Sequence, residues 1–153
     1  MKIELKKPRL NDIIAMQNLV KNEVANGIIL PRSNDEVSTN IRSYTIALDG
    51  ENIAGYAALH IHTPELAEVR SLIVGQNLRG SGVGSLIVKE LLKEAKFYEL
   101  KQVFTLTYRK SFFEKLGFKE IPKTALPAQK IWADCAKCKH FPVCDEIALI
   151  YDI

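Results

Sequence analysis

Apolar and polar positions repeat with two different periods along this chain, and the changes of period mark its elements. Ile3 and Leu5 stand between charged neighbours, a two-residue alternation that predicts a short first strand. From Asn11 the period lengthens. Ile13, Ile14, Met16, Leu19 and Val20 recur at helical spacing behind Asn11 or Asp12 as cap, and Gly27 closes the region. The segment IILPRS (Ile28–Ser33) links it to a second short helix starting near Asn34. Two strands follow, Ser43–Leu48 and Asn52–Ile61, joined through Asp49-Gly50, a strong hairpin signal. Thr63-Pro64 predicts a turn before an extended run, Ala67–Val74, and a helix over Ser85–Tyr98 keeps Leu86, Ile87, Leu91, Leu92 and Ala95 at helical spacing. Val103–Leu106, a short helix near Ser111–Leu116, Phe118–Ile121 and Glu146–Ile153 complete the pattern as strand, helix, strand, strand. The order β-α-α-β-β-β-α-β-α-β-β predicts an α/β fold built on one mixed sheet, not a doubly wound one.

Chemistry enters at the junction between the run Ala67–Val74 and the helix after it. The connection, Val74–Gly84, reads VGQNLRGSGVG, with glycines at alternate positions 80, 82 and 84. A strand that stops, a turn without side chains and a helix N-terminus together make an anion site. Backbone N–H groups there lack intrahelical partners and the helix dipole favours negative charge. Glycine lets those groups approach a diphosphate without a Cβ in the way. Two familiar phosphate loops do not fit. A Walker loop needs Lys-Ser/Thr after its last glycine, and here Gly84 precedes Ser85 and Leu86. A dinucleotide fingerprint needs G-x-G-x-x-G in a first βα unit. The spacing that does fit is R-x-x-G-x-G, from Arg79 through Gly82 to Gly84.

Composition narrows the class without naming it. The 153 residues are enough for one domain with its own core, and 47% hydrophobic with 25% charged is ordinary for a globular chain. A net charge of +3 without a long basic run gives no reason to expect nucleic acid as a partner. No apolar stretch approaches about 18 residues, so no membrane span is expected. MKIELKKPRL lacks an apolar signal core, and three cysteines do not make a secreted disulfide framework; a cytoplasmic location is expected.

The strand EVRSLIV, Arg79 and the glycines together resemble the acetyl-CoA loop of the GNAT superfamily of N-acyltransferases. SFFEKLGF (Ser111–Phe118) resembles that superfamily's fourth helix and following strand, and the element order above is also its order. Further features look like the acetyltransferase domain of N-acetylglutamate synthases: GIILPRS (Gly27–Ser33), AEVRSLIV, VFTLTYR (Val103–Arg109) and Leu126-Pro127. Many superfamily members carry a Tyr as general acid where Phe113 stands here, whereas the glutamate-specific enzymes lack it. The resemblance implies one GNAT domain over residues 1–153, a short stand-alone form without the amino-acid-kinase-like domain, and a sheet that is mostly antiparallel with flanking helices.

The resemblance also implies roles. Acetyl-CoA would lie along Leu72, Ile73 and Val74, the loop Arg79, Gly80, Ser81, Gly82, Val83, Gly84 and Ser85, and Phe113. Glu68 would be the base that deprotonates the acceptor α-ammonium, the N–H groups of Ile73 and Val74 would hold the thioester carbonyl, and Thr107 would stand near the leaving sulfur, with Tyr108 as a second candidate acid. Two carboxylates on glutamate call for fixed cations, and a guanidinium pairs with a carboxylate in a bidentate manner. Arg32 aligns with an Arg of the family's glutamate site. Arg70 shares a strand face with Glu68 by two-residue alternation, with Ser71 beside it. One departure stands out: where the family's terminal strand brings an Arg and a Ser to the substrate, this chain reads Cys144-Asp145-Glu146.

Residues 130–146, KIWADCAKCKHFPVCDE, form an insertion before the last strand. Cys135, Cys138, His140 and Cys144 are a feasible but tightly spaced zinc set. A redox pair, or a reduced loop packing Trp132, Phe141 and Pro142 over the pocket, are the alternatives. No Cys-His pair is placed for an acetyl-enzyme, so direct transfer in a ternary complex is expected. The expected partner is a small-molecule amine, glutamate by resemblance, and a homodimer is left open. Another small amine or a protein N-terminus is the alternative acceptor. A non-catalytic acyl-CoA-binding or metal-regulated sensor is the alternative class.

Overall fold

Strand β1 (Ile3–Lys6) begins a seven-stranded sheet in the computed structural model, which describes residues 2–126 and 146–153. Helices α1 (Ile13–Ala25) and α2 (Asn34–Thr39) precede β2 (Tyr44–Asp49), β3 (Asn52–Ile61) and β4 (Leu66–Val74). Then come α3 (Val83–Phe97), β5 (Gln102–Thr107), α4 (Lys110–Lys115), β6 (Lys119–Ile121) and β7 (Ile147–Asp152). The strands lie in the order β1-β2-β3-β4-β5-β7-β6. Every neighbouring pair is antiparallel except β4–β5. The predicted order of elements and the mixed, mostly antiparallel sheet are both present.

Two helical layers cover the sheet. On one face α3 buries Val83, Ile87, Val88, Leu91, Leu92 and Ala95 against Ala57, Leu59, Val69 and Val103. On the other, α1 and α2 lay Ile13, Met16, Val20 and Val37 over Tyr44, Ile46, Tyr56, Ala58 and Ile73. Two expected face positions are displaced. Ile14 is 71% and Leu86 45% exposed; the buried stripes run through Ile13, Met16 and Val20 as expected, and through Ile87, Leu91 and, beyond the expected positions, Val88. Each displaced residue lies about 100° from a buried neighbour (Ile13, Ile87), on the flank of the stripe that turns away from the sheet. Asp12 does not cap α1; its Oδ2 accepts the N–H of Arg9 (2.7 Å) in a 3-10 turn just ahead of the helix. Ser33 does cap α2, accepting the N–H of Glu36 at 3.1 Å. The β2–β3 turn is one residue later than Asp-Gly suggests: Asp49 pairs with Asn52, so Gly50 (φ 65°) and Glu51 form the loop.

Two irregularities create the site. In β4 the register with β3 shifts between the Tyr56–Ile73 and Ala58–Arg70 pairs, which places Ser71 and Leu72 opposite Ala57 alone. This is a β-bulge, and Ser71 sits there at φ 60°. Strands β4 and β5 also pair only from Leu66–Gln102 to Glu68–Phe104. Just beyond, the Thr105 hydroxyl donates to Val69 O (2.9 Å), and past that bond the two strands part.

Candidate active site

The parting of β4 from β5 opens a cavity of about 550 Å³. Its walls are Glu68–Val74 on one side, Thr105–Arg109 with Phe113 on another, and the end of α1 with Gly27–Leu30 and Arg32 on a third. Of the residues expected from sequence, Glu68, Arg70, Ser71, Leu72, Ile73, Val74, Arg79, Thr107, Tyr108, Phe113 and Arg32 all line it. One fold defect therefore gathers side chains from Arg32 to Phe113 that lie far apart in sequence.

Glu68 is buried, with 1% of its surface exposed. Its Oε1 lies 2.9 Å from Nε2 of His62, whose side chain is also nearly covered. An ionised carboxylate only accepts, so Nε2 carries the hydrogen. The second residue of this pair was not anticipated. The signal was present in His60-Ile61-His62: once the turn at residues 62–65 is placed, His60 falls opposite Glu68 and His62 shares its face.

The cationic side of the cavity is equally specific. Arg32 has 9% of its side chain exposed; its Nη1 pairs with Glu36 Oε2 (2.6 Å) and its Nε points at Ser71 Oγ (3.5 Å). The loop carrying it is held by Gln17, whose amide donates to the Arg32 carbonyl at 2.7 Å. Tyr44, not foreseen from sequence, lies beneath. Burial raises its phenol above the usual range, opposed by the nearby charges of Arg32 and Arg70 and by Ser71. The phenol thus feels both guanidinium charges. Glu146 also lines the cavity, so an acid does stand where the synthases are expected to carry a cation.

The loop before α3 divides its glycines between two tasks. Gly80 and Gly82 adopt φ 82° and 92°, and a Cβ at either would meet nothing within 4 Å. They supply a left-handed turn with open space over it. The first helical bond runs from Leu86 N–H to Gly82 O (3.1 Å), so the N–H groups of Val83, Gly84 and Ser85 stand ahead of it. Such a cradle fits a diphosphate. Gly84 does something else: it is buried, and a Cβ there would lie 3.2 Å from the Phe112 ring. Val83 likewise turns its side chain into the core. Ser81 Oγ donates to Leu78 O within the loop. Arg79 is tied down, with Nη2 on Glu23 Oε1 (2.6 Å) and Nε near Val74 O (3.4 Å). Glu23, buried near the end of α1, was not singled out from sequence.

One backbone expectation changes. Gly75 N–H donates to Ala54 O (2.8 Å), which makes Gly75–Ala54, and two residues along the register Ile73–Tyr56, the hydrogen-bonded pairs of the ladder. Ile73 N–H is therefore committed to β3, and Val74 N–H faces the open side. Thr107 Oγ1 accepts the N–H of Arg109 (2.9 Å), which leaves its own hydrogen available to the cavity.

Cys135, Cys138, His140 and Cys144, like Pro127, Trp132, Phe141 and Pro142, lie outside the described residues. Among the described residues no group of three or more side chains could hold a metal ion, and no helix is long and apolar enough to cross a membrane.

A sheet that opens between two parallel strands beside a glycine-turned helix defines a class: N-acyltransferases that take their acyl group from coenzyme A. Residues 40–120 match the acetyltransferase (GNAT) domain, and the chain belongs to that family. An uncharacterised N-acetyltransferase of Chlorobaculum tepidum is 36% identical over 93% of this chain and 91% of its own length. An amino-acid acetyltransferase of Mycobacterium tuberculosis is 29% identical over 97% of this chain and 79% of its own. In fold, the chain is similar to an N-acetylglutamate synthase from Neisseria gonorrhoeae complexed with coenzyme A and N-acetyl-glutamate. The TM-score is 0.87 at 19% identity, over 99% of this chain and 35% of that one. The protein is an acetyl-CoA-dependent N-acetyltransferase.

Proposed function

We propose that the chain acetylates the α-amine of glutamate in a ternary complex, the step that opens arginine biosynthesis, in the cytoplasm. The carrying observation is that Arg32 and Arg70 line one cavity together with Ser71 and the buried carboxylate of Glu68. Two guanidiniums suit an acceptor with two carboxylates. The likeness to the Neisseria gonorrhoeae synthase supports the same reading.

In this mechanism Arg32 and Arg70 bind the acceptor carboxylates, and Glu68 takes a proton from its ammonium, directly or through water, so that the nitrogen lone pair is free to attack. Acetyl-CoA supplies an activated thioester, held at its diphosphate by the N–H groups ahead of α3. In this reading Val74 N–H donates to the developing oxyanion, and the Thr107 hydroxyl to the departing thiolate. Glu146 favours a second reading, another small amine or a protein N-terminus as acceptor, because its carboxylate repels a second acidic group on the substrate. A screen of amino acids and N-terminal peptides with acetyl-CoA, following free thiol release, decides between them. Turnover with glutamate above all others is expected. Turnover with other amines and none with glutamate removes the glutamate reading and leaves the acetyltransferase intact.

A further inference from the structure

His62 has no part in the roles assigned above, yet it makes the close contact to the proposed base. Three elements hold its ring. From β4, Glu68 Oε1 meets Nε2 at 2.9 Å. From β5, Phe104 stacks on it, with centroids 5.5 Å apart and planes 29° apart. From β3, His60 packs edge-on at 4.7 Å. The backbone is fixed as well, because His62 N–H donates to Leu66 O at 2.9 Å. The ring is 7% exposed and Glu68 is 1% exposed. A histidine merely filling core space has no need of an aligned bond to a buried carboxylate.

We propose that His62 is the positioning residue for the base: its Nε2–H holds Oε1 of Glu68, and the other carboxylate oxygen is thereby the one offered to the acceptor ammonium. The inference rests on Glu68 being the base. In the step, an N–H bond of the ammonium breaks and an O–H bond forms on the second oxygen of Glu68. The nitrogen lone pair attacks the thioester carbon, the C–S bond breaks as the nitrogen's second proton passes to the departing thiolate, and the first proton leaves Glu68 for water once product has gone. No proton passes through His62.

The test compares wild type with His62→Phe, His62→Gln and Glu68→Gln, using the amine found by the acceptor screen at saturating acetyl-CoA. Phe keeps the stacking on Phe104 but removes the donor; Gln keeps an N–H donor that cannot gain a proton. His62→Phe is expected to lower kcat about 10- to 100-fold while the KM for acetyl-CoA changes less than about twofold. His62→Gln is expected to recover most of that kcat. A His62→Phe enzyme with wild-type kcat overturns the proposal, as does a folded His62→Gln enzyme with less than about a tenth of the wild-type kcat. The second result decides the matter alone if His62→Phe fails to fold. Wild-type kcat in Glu68→Gln instead removes the base reading beneath it, a separate outcome.

Discussion

Buried charge needs partners where it lies, since an isolated carboxylate or guanidinium in an apolar setting is costly. Glu68 has His62, Glu23 has Arg79, and Arg32 has Glu36. The Arg32 pair also explains why α2 begins where it does. Glu36 is held by the Ser33 cap and faces back, one helical turn on, toward the guanidinium. Arg32 is thus pre-positioned by the helix that follows it before any acceptor arrives. On the proposed reading, Arg32→Gln raises the acceptor KM roughly 10- to 150-fold, the worth of about 1.5–3 kcal/mol for hydrogen bonds to a charged group. The KM for acetyl-CoA should stay within about twofold, because uniform acceptor binding is what has been removed. Steady-state kinetics with each substrate varied in turn checks this. A change confined to acetyl-CoA would place Arg32 on the donor side instead.

At the scale of elements, α3 shows how a helix can be read correctly and still rotated. Leu86 and Ile87 both fit an apolar stripe, but Ile87 is fully buried and Leu86 is 45% exposed. Stability separates them. Leu91→Ala, which opens a cavity between α3 and the sheet, should cost about 2–5 kcal/mol, whereas Leu86→Ala should stay within about 0.5 kcal/mol. Urea unfolding of the two variants measures the difference, and equal losses would mean that the helix is rotated from this packing. The same contrast tells how much could be read from the sequence. Periodicity carried the elements and their order, because each strand and helix is set by its neighbours in sequence. Arg79 and the glycines carried the loop, and the strand carried Glu68 and Arg70. Tyr44, Glu23 and His62 were missed because each matters through a partner that only pairing supplies: Tyr44 under two guanidiniums, Glu23 beneath Arg79, His62 beside Glu68. The β4 bulge left no mark in the hydrophobic pattern either. It moved the expected Ile73 N–H to the ladder and left Val74 facing the cleft.

The whole molecule is two sheet segments, β1–β4 and β5–β7, joined at a short seam. Three residue pairs and the Thr105–Val69 bond hold the seam at one end. At the other end the strand edges face the cavity, so backbone groups such as Val74 N–H lie outside the β4–β5 ladder. A donor lying between the strands would complete the ladder that β4 and β5 abandon. Binding should therefore act on the seam as a missing piece of sheet and leave distant strands alone. At a coenzyme A concentration of one hundred times Kd, linkage gives about 2.7 kcal/mol of stabilisation. For a domain of this length that is roughly 5–10 °C in Tm, taking about 2–4 °C per kcal/mol. Native-state hydrogen exchange locates the effect. The amides of Val74, Val83, Gly84 and Ser85 should slow on addition of coenzyme A. Amides of the β1–β2 ladder should slow only to the extent that they exchange by global unfolding. If coenzyme A raises Tm but leaves Val74 and the start of α3 exchanging as before, the cofactor is not bound in the opening between β4 and β5, and the seam is only a defect of the sheet.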